Sequence, residues 1–197
     1  MAETFAEYRA RVLGYLGTRD PIRVQRTTPA ALERRLRELA PAVATRRPAP
    51  GKWSIAEIVA HLADAELAMG WRLRNMLATP GLALAWWDQD QWAARLGYAA
   101  RPVGESAALF RALRTANLRL LAGVPRPWWD ACAGVHEVRG RQTVAEFVAL
   151  EAAHDLAHLR QIDRILAQAS GGRAAARRTA ELEPLRSGPG RRPGRKP

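Results

Sequence analysis

The sequence contains one cysteine, Cys132, among its 197 residues. A single cysteine excludes a disulfide within the chain and is typical of a reducing compartment, so we expect a cytoplasmic protein. No apolar run approaches the roughly 20 residues that a membrane-spanning helix needs. Residues 1–16 carry polar side chains every few positions, unlike a secretory signal. We therefore expect no membrane association and no export.

Lysine is also scarce, with only Lys52 and Lys196, although the chain carries 31 Lys and Arg in total and a net charge of +12. Residues 171–197 hold eight of these basic residues and only two glutamates. About half of the excess charge therefore lies on a C-terminal tail. Because net charge informs association and not fold, we do not expect the folded part to bind nucleic acid.

Strand-like alternation is nearly absent, whereas apolar residues recur at helical spacing in several segments. We predict an all-α, four-helix-bundle protein with a short extra helix. The helices are expected at 3–16, from Thr28-Pro29 to Pro41, at 54–77, at 105–121, and from 143 to Gly171-Gly172. Residues 1–170 then form one domain, and the Arg-, Gly- and Pro-rich residues 171–197 form a disordered basic tail.

Two helix starts carry a specific signature. Ser54 and Glu57 form a capping box, in which each side chain satisfies a backbone N–H at the helix start. Thr143 and Glu146 repeat this pattern before the last helix. Both helices are therefore predicted with definite starting residues.

Three histidines suggest a metal site. His154 and His158 are four residues apart, so both lie on one face of the last helix. That face is its apolar stripe, where buried imidazoles need partners. His61 lies at the edge of the apolar stripe of the earlier capped helix. These rings could bind Zn²⁺, Ni²⁺ or Fe²⁺, but the spacing alone equally allows core histidines bonded to one another.

Other polar residues could support the site. Asp64, Glu151 and Gln161 each lie one helical turn from a histidine, where they could orient a ring. Arg72 and Arg114 are candidates for holding an anionic substrate. No catalytic acid or base is identified from the sequence.

Four segments together resemble the DinB-like superfamily, the DinB/YfiT-like metalloenzymes, over roughly residues 8–168. They are GKWSIAE at 51–57 continuing into HLAD at 61–64, DQDQW at 88–92, His136 through Gly140, and HDLAHLRQI at 154–162. The resemblance implies an up-down-down-up four-helix bundle, a divalent ion held by His61, His154 and His158, and frequent homodimerisation. Relatives in this superfamily include S-transferases and isomerases that use bacillithiol, mycothiol or glutathione.

Three functions follow as hypotheses. The first is a metal-dependent transferase or hydrolase that acts on a small substrate, such as a low-molecular-weight thiol, with the ion as a Lewis acid. The second is a non-catalytic protein whose ion braces the bundle. The third, which the charge distribution does not favour, is nucleic-acid binding through the basic tail.

Overall fold

The computed structural model describes the backbone of residues 3–182 and the side chains of residues 3–171. Its helices are α1 (Phe5–Leu16), α2 (Pro21–Leu36), α3 (Pro41–Thr45), α4 (Ile55–Ala78), α5 (Gln89–Arg95), α6 (Val103–Ala122), α7 (Arg126–Ala131) and α8 (Val144–Leu182). Three short strands, β1 (Ala83–Leu84), β2 (Ala133–His136) and β3 (Gly140–Thr143), form one sheet in that order. No helix of the described part is long and apolar enough to cross a membrane.

Helices α2, α4, α6 and α8 form the bundle, and the contacts between them give their directions. Arg35 of α2 pairs with Asp163 of α8, and ten residues earlier Gln25 donates to the carbonyl of Val148, so α2 and α8 run the same way. On the other side of the bundle, Asp64 of α4 pairs with Arg101 just before α6.

Farther along the same two helices, Arg74 bonds Asn117, so α4 and α6 are parallel. Helix α2 opposes α6, because Glu33 pairs with Arg111 whereas the carbonyl of the earlier Gln25 meets Arg114. The order is therefore up-down-down-up, which confirms the predicted all-α four-helix bundle.

The predicted capping boxes are present. The Ser54 backbone N–H donates to the Glu57 carboxylate at 2.8 Å, and the Glu57 N–H donates to the Ser54 hydroxyl at 3.3 Å. At the start of α8, Thr143 and Glu146 exchange the same bonds at 3.0 and 3.1 Å. These two caps begin the helices that carry all three histidines of the predicted site.

The second helix begins earlier than predicted. It starts at Pro21 behind the Asp20 cap, so Pro29 lies inside the helix instead of opening it. Pro29 has no N–H to donate to the carbonyl of Gln25, and Arg114 of α6 donates to that carbonyl at 3.2 Å instead. A long-range contact thus satisfies the group that the proline leaves unbonded. Pro41, expected to end this helix, begins α3.

Other segments also differ from prediction. The segment between the predicted helices 54–77 and 105–121 contains β1 and α5, the segment between 121 and 143 contains α7, and the small sheet was not predicted. Helix α8 continues through Gly171 and Gly172 to Leu182, so these glycines do not end it. Residues 183–197 of the predicted tail lie outside the described residues, and the domain division at 170 remains a prediction.

Candidate metal centre

His61, His154 and His158 meet in the interior of the bundle. The Nε2 atom of His154 lies 3.1 Å from Nε2 of His61 and 3.0 Å from Nε2 of His158. One ring nitrogen from each residue lies within 4.8 Å of the other two. Among the described residues, these three are the group of His, Cys, Asp and Glu side chains whose spacing could hold one ion.

Helix packing brings the three rings together. His154 and His158 occupy successive turns of α8, and His61 faces them from α4, which packs on α8. The indole of Trp53, just before α4, lies against the His61 ring with centroids 4.9 Å apart. The aromatic wall on this side limits the positions that the His61 ring can take.

Burial keeps the histidines neutral. It lowers the pKa of His61 and of His154 well below the usual value, and the neighbouring His158 lowers both further. The pKa of His158 falls to about 4, again mainly through burial. Near pH 7 the three rings therefore carry no charge, and their lone pairs are available to a metal ion.

Hydrogen bonding to Gln161 selects the ring nitrogen of His158 that faces the cluster. The Nδ1 atom of His158 lies 3.0 Å from the side-chain oxygen of Gln161, which can only accept, so Nδ1 carries the proton. Its Nε2 then presents a lone pair to the other two rings. This is the tautomer that a metal ligand needs.

Hydrogen bonds between the three rings cannot satisfy all three Nε2 atoms. If His154 donates its single Nε2 proton to His158, it has none left for His61, which lies equally close. A cation accepts all three lone pairs at once. Two nitrogen ligands, each about 2.1 Å from a metal, lie roughly 3.0–3.4 Å apart, so the observed spacing fits a divalent ion.

The other two predicted supporting residues, Asp64 and Glu151, have different surroundings from those of Gln161. Both carboxylate oxygens of Asp64 accept from Arg101, at 2.9 and 3.0 Å, and its supporting role at the cluster stays a prediction. The Nδ1 atom of His61 is buried and has no hydrogen-bond partner among the described residues. Glu151 is buried beside the cluster but forms no side-chain hydrogen bond with the described residues.

The two predicted substrate-binding arginines have separate surroundings. Arg114 lies between Asp155 and Glu66, with N–O distances of 2.5 and 2.7 Å, and its guanidinium lies over the ring of Phe110. These contacts hold the Arg114 guanidinium inside the bundle. Arg72 is also buried, but its side chain contacts the carbonyl of Ala85.

A cavity of about 460 Å³ opens from the histidine cluster. We call it the site cavity, and its polar walls include the residues His61, His154, Arg72, His136, Arg139 and Glu151. Aromatic side chains also line it: Trp86 and Trp87 between β1 and α5, and Phe5 and Tyr8 of α1. A larger cavity of about 710 Å³ between α3 and α6 contains none of the four histidines.

Two residues of the cavity lining, His136 and Arg139, are not predicted from the sequence as parts of this site. His136 lies at the end of β2 and does not belong to the three-histidine cluster. Arg139 lies in the turn between β2 and β3. Neither carries a periodic signal, because the strands that place them are four residues long.

The pKa of the Glu151 carboxyl is raised above its usual value. Burial is the main cause that raises its pKa to about 7, with the charges of Asp155 and Glu66 acting in the same direction. Arg139 and Arg72 act against this rise. Near neutral pH the group can therefore both bind and release a proton at the wall of the site cavity.

Comparison with known proteins assigns the chain to a family. Residues 25–162 match the model of the DinB superfamily, so the protein belongs to it. The chain is 30% identical over 121 residues to a protein of Oceanobacillus iheyensis named "Putative metal-dependent hydrolase", covering 61% of this chain and 69% of that protein.

A solved structure shares the fold. YfiT from Bacillus subtilis, described as "a probable metal-dependent hydrolase with an unusual four-helix bundle topology", superposes with a TM-score of 0.68. The identity is 18%, and the match covers 84% of this chain and 91% of YfiT. At this identity the likeness concerns the fold, which agrees with the up-down-down-up order described above.

Proposed function

We propose that this protein is a divalent-metal-dependent enzyme that hydrolyses, or transfers a thiol to, a small substrate in the site cavity. The main support for the proposal is that three neutral imidazoles meet beside a cavity large enough for a small molecule. The Nε2 atom of the central ring, His154, lies 3.1 and 3.0 Å from the Nε2 atoms of the other two. The two named relatives, both described as metal-dependent hydrolases, support the hydrolytic alternative.

His61, His154 and His158 would hold the ion, for which zinc, nickel and iron(II) are all suitable. Three protein ligands leave coordination positions open, and a bound ion would supply Lewis acidity that lowers the pKa of a water or thiol. Gln161 keeps the His158 ring in the required tautomer.

Other residues of this chain would act on the substrate. Glu151 can accept a proton from a nucleophile or return one to a leaving group, because its carboxyl changes protonation state near neutral pH. Trp53 and Trp87 lie against the His61 ring, with centroids 4.9 and 5.8 Å from it, and would restrict the access of water to this ring. Glu151 lines the same cavity as His61 and His154, which supports a proton-carrying role for it near the proposed ion site.

Metal analysis of three proteins tests the ligand set. We expect one divalent ion per chain in the purified protein and its loss in His158→Ala. His136→Ala is the matched control, since it removes a buried imidazole that is outside the cluster, and it should retain the ion. Full metal occupancy in His158→Ala, or none in the unmodified protein, would contradict the proposal.

An activity assay separates the two reactions. The metal-loaded protein is offered 4-nitrophenyl acetate alone, and separately glutathione, bacillithiol or mycothiol with a chromogenic electrophile. Product formation that needs both metal and thiol indicates S-transfer, whereas product formation without thiol indicates hydrolysis. If metal-loaded and metal-free protein have equal rates in both assays, these substrates do not support a metal-dependent reaction.

A further inference from the structure

The site cavity holds a second group of polar side chains besides the histidine cluster. Arg72 enters from α4, whereas His136 and Arg139 enter from the β2–β3 hairpin. Neither the buried guanidinium of Arg72 nor the partly exposed one of Arg139 has a carboxylate within 4 Å among residues 3–171, whereas the other buried arginine, Arg114, has two. A buried guanidinium without an anion is costly, so this arrangement indicates a missing negative partner.

The hairpin fixes Arg139 in place. Residues His136 and Gly140 are paired across the hairpin, and Gly140 takes a positive φ of 70°, so the turn between them is tight. The Nδ1 atom of His136 accepts from the backbone N–H groups of Val138 and Arg139 at 3.1 and 3.4 Å. The Arg139 guanidinium lies over the ring of Phe5, 4.8 Å from its centroid.

The same bonds determine what His136 offers to a ligand. Because Nδ1 accepts from two N–H groups, the proton of the neutral ring is on Nε2. His136 is 1% exposed, and its Nε2 has no hydrogen-bond partner among the described residues. The ring is therefore a buried donor without an acceptor, in the lining of the same cavity as the two arginines, whose charges act on it.

The net charge of Arg72, Arg139 and Glu151 favours a ligand with one negative charge. Arg72 and Arg139 bring two positive charges, and Glu151 is the buried carboxyl of the lining. Three more carboxylates, those of Glu3, Asp88 and Asp90, line the cavity but are exposed or half-buried; Glu3 pairs with Arg11 and Asp88 caps α5. The fields of the two arginines overlap, since Arg139 contributes to the lowered pKa of both Arg72 and His136. Arg72, Arg139 and an ionised Glu151 together leave one positive charge for a monoanion to balance, whereas a phosphate near pH 7 would bring up to two negative charges.

We propose that Arg72, Arg139 and His136 bind the carboxylate of the substrate, so that this enzyme acts on small carboxylic acids. The planar guanidinium fork matches a carboxylate with two parallel hydrogen bonds, and the Nε2–H of His136 adds a third donor. The carboxylate anchors one end of the molecule while its reacting group lies at the histidine end of the cavity. This inference rests on the proposed function for the reaction, but the anion site itself needs no metal.

Binding of benzoate and benzamide tests the proposal on the full-length protein. The two probes have the same shape and differ in charge, and the aromatic walls of the cavity can accept either ring. Measurements are made on metal-free protein in chelator, because a carboxylate could otherwise coordinate the ion directly. We expect benzoate to bind at least tenfold more tightly than benzamide.

Two variants assign the effect to the arginines. Arg139→Gln, on a partly exposed turn, and Arg72→Gln should each weaken benzoate binding by roughly tenfold or more and leave benzamide binding unchanged. Arg126→Gln is the matched control, since Arg126 also lies over an aromatic ring, that of Trp129, but outside the cavity. It should change neither affinity. If Arg72→Gln does not fold, Arg139→Gln alone decides.

Each outcome has a definite meaning. Equal binding of benzoate and benzamide, or unchanged benzoate binding in Arg139→Gln, would overturn the carboxylate site. Tighter binding of inorganic phosphate than of benzoate would replace it with a phosphate site. Metal content measured in the same Arg139→Gln protein should remain one ion per chain, so failure of the anion site and failure of the metal site are distinguished.

Discussion

Replacing Arg114 by Met should destabilise the bundle strongly. Arg114 is 3% exposed, and its guanidinium contacts Asp155 and Glu66, which are 1% and 6% exposed, as well as the Gln25 carbonyl. Met fills a similar volume but leaves two buried carboxylates and one carbonyl without this donor. Removing one partner of a buried ion pair costs about 3–5 kcal/mol. That is a large part of the roughly 5–15 kcal/mol by which most domains are stable.

Urea unfolding, followed by circular dichroism on metal-free protein, measures this loss. The matched control is Arg111→Met, one turn earlier on α6, where Arg111 pairs with Glu33 at 3.2 Å with both side chains largely exposed. We expect that control to cost at most about 1 kcal/mol. Adding Asp155→Asn to Arg114→Met should recover part of the loss, because one uncompensated charge is then removed. An Arg114→Met protein within about 1 kcal/mol of the unmodified protein would refute this account of the network.

Three further predictions concern packing, pH and metal. Gly70→Ala should cost about 1–2 kcal/mol in urea unfolding, because a Cβ there would lie 2.6 Å from the Asn117 side chain and this overpacking exceeds the gain in helix propensity; a stabilised variant would contradict the close packing. Glu151→Gln should leave the free energy of unfolding nearly unchanged at pH 4.5 and raise it by about 3 kcal/mol at pH 8. The folded pKa of about 7 exceeds the unfolded value of 4.5, so the carboxylate lowers stability increasingly as pH rises between them; an effect equal at both pH values, or one shared by the exposed Glu105→Gln, would count against it. Removal of metal by a chelator should lower the melting temperature but preserve the helical circular dichroism, because apolar clusters on both sides of the histidines hold the bundle; complete loss of helix would favour the purely structural role.

The parts of the fold predicted from the sequence are those that local chemistry determines. The capping box at Ser54 and Glu57 depends on residues three positions apart, and the same residues form it in the structure. The shared face of His154 and His158 follows from helix geometry alone. That His61 meets them depends on how α4 packs on α8, and here the family resemblance added what spacing could not.

The features that the sequence did not predict depend on contacts between residues that are far apart in the chain. Pro29 normally indicates a helix start, but here it lies within a helix because Arg114, 85 positions later, bonds the carbonyl that Pro29 leaves free. The ion pairs of Arg114 with Glu66 and Asp155 likewise depend on three helices meeting. His136 and Arg139 reach the cavity through a hairpin whose four-residue strands are too short to show a period of two.

X-ray absorption spectroscopy of the zinc-loaded protein tests the metal site most directly. The account predicts three imidazole nitrogens at about 2.0–2.1 Å from the ion, and two in His158→Ala if that variant still takes up zinc at high concentration. A first shell without imidazole nitrogen, or an unchanged three-imidazole shell in His158→Ala, would contradict it.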